Sequence, residues 1–340
     1  MVAQPQHDPS GPRVCLYDSH DGNEGHRLDY YALFARLLGA KRTGSWFTAA
    51  LTRRPVLVGA LEASMPRYVL LALARAALGR PTAGLLFRPL PVLDPDTPKL
   101  RLKRAMLRLL LRVPGVTTFT LLPFALEPRF AEVAKDWIWD PQLWDLHYPE
   151  PLAAHTQGGL AARIRAAAGT RRICCAIGRQ DVSKGFDQFA QTYVARDDLH
   201  GEWLFAFGGG TTPEIAVEQA QFERAGGLAE PVFVDEVGLR DLYACADAVW
   251  CSYAPDYDQA SGIFGRAVQL GVPVIVRRGT LIERHCLSGG LVHLTHDGNP
   301  ANLPLGSIGR RQPPDTAAAT ARSQGAESVR RLMAALGLAP

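Results

Sequence analysis

The chain of 340 residues has no apolar run of the roughly 18 residues needed to cross a bilayer. Its longest apolar stretch, Tyr68 to Leu78, is interrupted by Arg75, and its first residues, MVAQPQHDPSGPR, lack the apolar core of a secretory signal. Both absences argue for the cytoplasm, or the inner face of its membrane. No CxxC pair and no Cys/His metal spacing occurs among the six cysteines. They are expected as free, buried thiols; the adjacent Cys174 and Cys175 point to opposite faces of a strand and do not pair easily. No aromatic–basic platform accompanies the weak net charge of +4, so no nucleic-acid partner is expected. The dinucleotide fingerprint GxGxxG is also missing. Only Gly22 and Gly25 stand in the first glycine-bearing loop, which argues against a dehydrogenase.

What is present is a globular balance of 47% hydrophobic and 21% charged residues, long enough for two α/β domains of roughly 150 residues each. Apolar runs of strand length alternate with helical spacing. In the first half, Val14–Tyr17, Pro55–Ala60, Ala83–Phe87 and Val116–Thr120 read as strands, with helices such as Tyr68–Leu78 between them. Trp137 to Thr156 is rich in Trp, Pro, Asp and His and reads as the irregular joint between domains. The pattern then restarts, with strands expected at Ile173–Ile177, Trp203–Phe207, Val232–Val234, Ala248–Ser252, Pro273–Val276 and Leu291–Leu294. The order predicts parallel sheets with helices on both faces. The expected organisation is a disordered tail over 1–12, a Rossmann-like domain over 13–150, a second over 168–300, and a helix over 315–337 capped by Asp315.

The strongest chemical signal is IGRQDVSKGFDQF, Ile177 to Phe189. A buried strand ends at Gly178, Arg179 follows, and Lys184 opens the next helix. Ligands of open α/β sheets bind beyond the carboxyl ends of strands. Two cations there, beside a helix N-terminus, form an anion site suited to a diphosphate.

This segment resembles the donor-site strand and loop, G-R-x4-K-G, of retaining family 4 glycosyltransferases with the GT-B fold. LRDLYACADAVWCSYAPDYDQASGIFGRAVQLGVPVIV resembles the family's next stretch, with Leu242, Tyr243, Ala246, Asp247, Gly271, Pro273 and Val274 in register. GTLIER resembles the glycine-plus-glutamate loop after it, through Gly279 and Glu283. The resemblance runs from about residue 170 to 295. It implies two Rossmann-like domains facing each other across a cleft, and transfer of a sugar from a nucleotide-diphosphate donor to an acceptor hydroxyl with retention. In the family, arginine and lysine hold the donor diphosphate, roles that fall here to Arg179 and Lys184. The resemblance assigns Asp258 to the donor sugar and Glu283 to donor or ribose. The donor is expected to be UDP- or GDP-linked and to be a substrate, with no cofactor and no metal.

One departure is sharp. The family's two glutamates, eight positions apart, correspond to Asp258 and Arg266. Arg266 donates hydrogen bonds and cannot accept them, so ribose recognition is expected to differ. Other positions keep two readings. Gly178 ends its strand. Gly208 and Gly209, followed by Gly210 and Thr211, either let a ligand approach or make a tight turn. Ser261 and Gly262 either present N–H groups and a hydroxyl to phosphate, or Ser261 caps the helix. In the N-terminal half, Asp18, His20, Asp21 and His26 after the first strand, and Arg88 after the third, are candidates for acceptor binding or a general base. Trp137, Trp139 and Trp144 read as packing residues before sugar platforms. Lys99, Arg101, Lys103, Arg104, Arg108 and Arg112 give one helix a basic face, suited either to solvent or to an anionic membrane carrying a lipid-linked acceptor. A carbohydrate acceptor is the other expectation. Two rival functions remain: a sugar-nucleotide 2-epimerase of the same fold, and a non-catalytic sugar-nucleotide-binding partner.

Overall fold

The computed structural model describes residues 12–18, 27–62, 64–145 and 159–339. Apart from residue 12, the tail expected over 1–12 lies outside them, as do His20, Asp21 and His26. The chain forms two compact units, one of Met1–Pro141 with Gly325–Pro340, the other of Gln142–Gln324.

The first unit runs β1 (Val14–Tyr17), α1 (Arg27–Leu38), β2 (Ala40–Thr43), α2 (Trp46–Leu51), β3 (Val56–Val58), α3 (Met65–Ala76), β4 (Thr82–Leu86), α4 (Leu90–Leu93), α5 (Pro98–Leu110), β5 (Val116–Thr120) and β6 (Asp136–Trp137). Its six strands are parallel, in the order β2-β1-β3-β4-β5-β6. Strands β1, β3 and β4 are wholly buried, the signature of a parallel sheet covered on both faces. Strand β2 was not expected. Its sequence AKRT carries no apolar run because it is an edge strand, and Lys41 and Arg42 are exposed, as edge cations often are.

The second unit runs α6 (Gly159–Ala168), β7 (Arg172–Ile177), α7 (Phe186–Val194), β8 (Trp203–Gly208), α8 (Ala216–Arg224), β9 (Leu228–Glu230), α9 (Glu236–Cys245), β10 (Ala248–Cys251), α10 (Gly262–Gln269), β11 (Val274–Arg277), α11 (Leu281–Gly289) and β12 (His293–His296). Helix α12 (Pro314–Ala335) begins in this unit and ends in the first. The second sheet is parallel throughout, in the order β12-β11-β10-β7-β8-β9. Phe186, Phe189, Tyr193, Phe205, Phe207, Phe222 and Trp250 interlock over it as a buried aromatic core. The architecture is thus the expected α/β class with two Rossmann-like domains.

Two local expectations are corrected. The strand placed at Val232–Val234 lies instead at Leu228–Glu230, beside β8, because Pro231 has no N–H to extend the ladder; Phe233 beyond it is exposed. Asp315 does not precede the last helix as its cap; it sits inside the first turn, after Pro314. Trp137 and Trp139 are indeed packing residues. The Arg331 guanidinium stacks on Trp137 at 3.8 Å, and the Trp139 indole donates to Glu327 at 3.3 Å. All six cysteines are free and buried.

Candidate functional site

In the second sheet β7, first in the chain, lies between β8 and β10. The connections leaving β7 and β10 pass to opposite sides, so a crevice opens beyond their carboxyl ends. The two loops at this switch point are 178–185 and 252–261, and they contain most of the residues expected to hold the donor.

Loop 178–185 is held from several directions. Gly178, at φ +79°, donates its N–H to Gly208 at 2.8 Å. The Asp181 carboxylate accepts from Lys184 N and from the Ser183 hydroxyl, bending the chain into a short turn over Val182–Lys184. Gly185 follows at φ +70°, with the Ser252 carbonyl so close that a Cβ would stand 2.1 Å from it. Trp250 donates its indole N–H to the Gly185 carbonyl at 3.2 Å, and Ala254 N donates to Ser183 at 3.0 Å. The loop after β7 is therefore pinned to the end of β10.

The pinning places the Lys184 ammonium 4.6 Å from the centre of the Tyr253 ring and 4.3 Å from that of Tyr257. The two rings meet edge to face at 5.7 Å. Among the described residues no carboxylate pairs with Lys184, so the aromatic faces are its only fixed electrostatic partners. Arg179 stands in the same loop with its side chain 72% exposed, 3.4 Å from Asp181. The Tyr253 hydroxyl is buried and hydrogen-bonded to Ser261 Oγ at 2.8 Å, and burial raises its pKa well above the ordinary value. Tyr253 is thus a neutral wall. Sequence reasoning passed over Tyr253 and Tyr257; their one signal was an aromatic pair in the loop after a buried strand.

Several expected donor residues are otherwise engaged. Ser261 does not cap α10; its hydroxyl is spent on Tyr253. Gly262 is tightly packed on its Cβ side. A Cβ there would lie 1.6 Å from the Gln142 side-chain oxygen, so its smallness makes room for Gln142. Gly208 and Gly209 are packing glycines. Cβ atoms would strike Leu242 at 2.6 Å and the Gly178 carbonyl at 2.0 Å respectively. Of the run Gly208 to Gly210, Gly210 alone borders open space.

Arg266 does not face the crevice. Its guanidinium grips both carboxylate oxygens of Asp145 in a mostly buried pair. Gly262, Gly265, Arg266 and Gln269 share one face of α10, and residues 142–145 pack on that face: Gln269 donates to Gln142 O at 2.7 Å and to Asp145 at 3.0 Å. Arg266 thus has a structural role, holding residues 142–145 against α10.

Asp258 accepts the Leu281 N–H with both carboxylate oxygens, at 2.8 and 3.0 Å, and so steadies the start of α11. Glu283 accepts from Gly279 N at 2.6 Å and from Thr295 Oγ1 at 2.9 Å, while Thr280 caps the same helix. Both carboxylates of the resemblance thus organise the loop after β11.

In the first sheet the equivalent switch point lies between β1 and β3. Asp18, directly after β1, is buried and ion-paired with Arg42 at 2.6 Å. Arg88 is exposed beyond β4, and its backbone N–H donates to Glu62 at 2.8 Å. Burial raises the Glu62 pKa, against hydrogen bonds from backbone N–H groups. Sequence reasoning missed Glu62, although it is the only carboxylate between residues 41 and 93. A cavity of about 300 Å3, lined by Arg165, Arg171, Asp247 and Arg311, lies at the opposite, amino-terminal edge of the second sheet, where the three guanidinium groups bond to main-chain carbonyls. Among the described residues no three His, Cys, Asp or Glu side chains cluster as a metal ion needs, and no helix is long and apolar enough to cross a membrane.

No protein-family model and no characterised protein sequence matches the chain. Solved structures do resemble it. Anabaena Alr3699/HepE in complex with UDP is 12% identical, with a TM-score of 0.61 over 94% of this chain and 95% of that one. The same protein with UDP and glucose is 14% identical, with a TM-score of 0.59 over 94% and 95%. A UDP-forming α,α-trehalose-phosphate synthase from Burkholderia vietnamiensis is 11% identical, with a TM-score of 0.56 over 95% and 99%. At these identities the likeness is one of fold, and it extends over both Rossmann-like domains.

Proposed function

We propose that this protein is a glycosyltransferase that takes a sugar from a UDP- or GDP-linked donor and passes it to an acceptor hydroxyl. The observation that carries this reading is the placement of Lys184 and Arg179. Both leave the loop at the switch point of the second sheet, and Lys184 is held between two tyrosine faces with no described carboxylate to neutralise it. A nucleoside diphosphate leaving group gains negative charge as its bond to the sugar breaks. Fixed cations aimed at that charge stabilise it without reorganising as the reaction proceeds. Arg179, exposed beside Asp181, is able to swing onto the diphosphate. The neighbours solved with UDP, or with UDP and glucose, support this class of donor.

Retention at the anomeric carbon follows from the resemblance and needs no enzymic base. If the product is inverted, Asp18, Asp21 or His26 is the base to test first. The acceptor is a carbohydrate or a lipid-linked sugar, consistent with polysaccharide or glycoconjugate synthesis in the cytoplasm. A second reading is a sugar-nucleotide-binding partner without turnover, in which Asp258, which accepts the Leu281 N–H, serves to order the start of α11. Incubation with a panel of UDP- and GDP-sugars separates the readings. Release of free nucleoside diphosphate supports the transferase. An altered sugar nucleotide indicates an epimerase, and saturable binding without turnover indicates the binding partner. Absence of both binding and turnover refutes the donor site itself.

A further inference from the structure

Helix α3 is apolar on its solvent side. Pro66, Leu70, Leu73, Ala74, Ala77 and Leu78 form its exposed stripe and the turn that follows, with Leu70 61% and Leu78 55% exposed. A helix on the outside of a soluble domain ordinarily turns charged residues to water. Helix α3 packs against both α2 and α5, and each neighbour carries exposed apolar side chains of its own. Phe47 and Leu51 of α2 are 73% and 70% exposed; Leu102 and Leu109 of α5 are also exposed.

These side chains are not displaced core residues. Helix α2 is fixed by bonds that leave Phe47 and Leu51 outside. Ser45 caps its first turn, and Trp46 donates to the Arg67 carbonyl at 3.3 Å. The carbonyls of Ala49 and Thr52 are taken by the buried Arg75 at 2.8 and 2.9 Å, and that of Leu51 by Arg80 at 2.8 Å. Arg75 also binds Thr82 Oγ1 and the Arg54 carbonyl. Burial lowers its pKa to about 10, so it keeps its charge at neutral pH.

The charge of this region identifies what covers it. Residues 41 to 126 hold fourteen Lys and Arg against three Asp and Glu, a net +11 in a chain of net +4, so the remainder carries −7. Exposed Arg53, Arg54, Arg67, Arg101 and Arg112 lie on or beside the patch helices. A second copy placed symmetrically on this face would bring two strongly positive surfaces together. Water alone does not account for the apolar stripe. An anionic bilayer satisfies both, offering phosphate to the cations and acyl chains to the leucines and Phe47.

We propose that α2, α3 and α5 form a face that docks the first domain on an anionic membrane, with Phe47, Leu51, Leu70 and Leu73 entering the acyl boundary. The basic helix α5 contributes less than its sequence implies, since Arg104 and Arg108 are both tied to Glu132. The inserting element is α2 and α3. The inference stands apart from sugar transfer and is tested without nucleotide sugar.

Full-length protein is sedimented with vesicles of phosphatidylcholine alone, or of equal parts phosphatidylcholine and phosphatidylglycerol, at low salt and at about 1 M NaCl, where the Debye length is ~3 Å. Wild type binds the anionic vesicles, and part of the binding survives high salt. The triple change Phe47→Gln, Leu70→Gln, Leu73→Gln lowers binding about tenfold or more and removes the salt-resistant part. The triple change Arg53→Gln, Arg67→Gln, Arg101→Gln removes the preference for anionic lipid. All six positions are exposed, and unchanged thermal unfolding verifies that folding is intact. Three results overturn the proposal. Wild type ignores anionic vesicles at low salt; the apolar variant binds as wild type does; or wild type self-associates through this face and binds no lipid.

Discussion

Lys184→Met is the most informative change at the switch point. Its ammonium stands 4.3 and 4.6 Å from two ring centres, and each such contact is worth about 0.5–1 kcal/mol. Loss of both costs the fold about 1–2 kcal/mol, a melting shift of roughly 2–8 °C for a unit of this size. The effect on ligand is larger. A unit charge about 4 Å from another contributes about 4 kcal/mol at the effective dielectric of ~20 typical near protein surfaces. Removal of one preorganised donor to a developing oxyanion commonly costs about 100- to 1000-fold in rate. Nucleoside diphosphate binding, measured by calorimetry with UDP and GDP, is therefore expected to weaken about 100-fold, and turnover of the sugar nucleotide to fall at least as far. Two further variants test the cage itself. Tyr257→Phe keeps the aromatic face and leaves affinity near wild type. Tyr257→Leu removes one face, frees the ammonium, and weakens binding about tenfold. Lys184→Met that binds UDP and GDP within a factor of three of wild type, while folded, refutes the diphosphate assignment.

Other expectations follow from the same geometry. Asp258→Ala, which removes the acceptor for Leu281 N, costs about 1 kcal/mol in denaturant unfolding. Asp258→Asn keeps an acceptor and holds stability, so a fall in turnover with intact nucleotide binding marks a contact with sugar. Gly185→Ala meets both a left-handed backbone and the Ser252 carbonyl; expression, melting temperature and nucleotide binding should all drop, whereas Gly210→Ala, beside open space, should leave all three near wild type. His285 is buried, and burial lowers its pKa from 6.5 to about 4. The unfolded state therefore binds the extra proton first, and stability is lost as pH falls from about 6.5 to 4, by about 3 kcal/mol at the lower end. His285→Leu should flatten that part of the pH–stability curve; an unchanged slope would show that other groups produce it.

The sequence alone determined the layers of this protein and which strand ends carry the candidate site. Parallel strands buried on both faces read as apolar runs, so most were placed to within a residue or two. The loop after Ile177 could be identified because a strand end followed by Gly, Arg and Lys is a local pattern. Contacts between segments far apart in sequence were not legible. Arg266 reads as a ligand-site substitution until Asp145, 121 positions away, is seen in its grip. Gly208 and Gly209 read as ligand approach or a tight turn, and Gly262 as an opening for phosphate; only the packing of Gly178, Leu242 and Gln142 against them shows why a Cβ is excluded. Tyr253 and Tyr257 gained a role only when the loop after β10 closed on the loop after β7. The apolar stripe of α3 was hidden in plain composition, since a helical period gives two faces but does not tell which one the core covers. Tertiary structure decided that, because the buried Arg75 turns one face inward and leaves Leu70 and Leu73 outside.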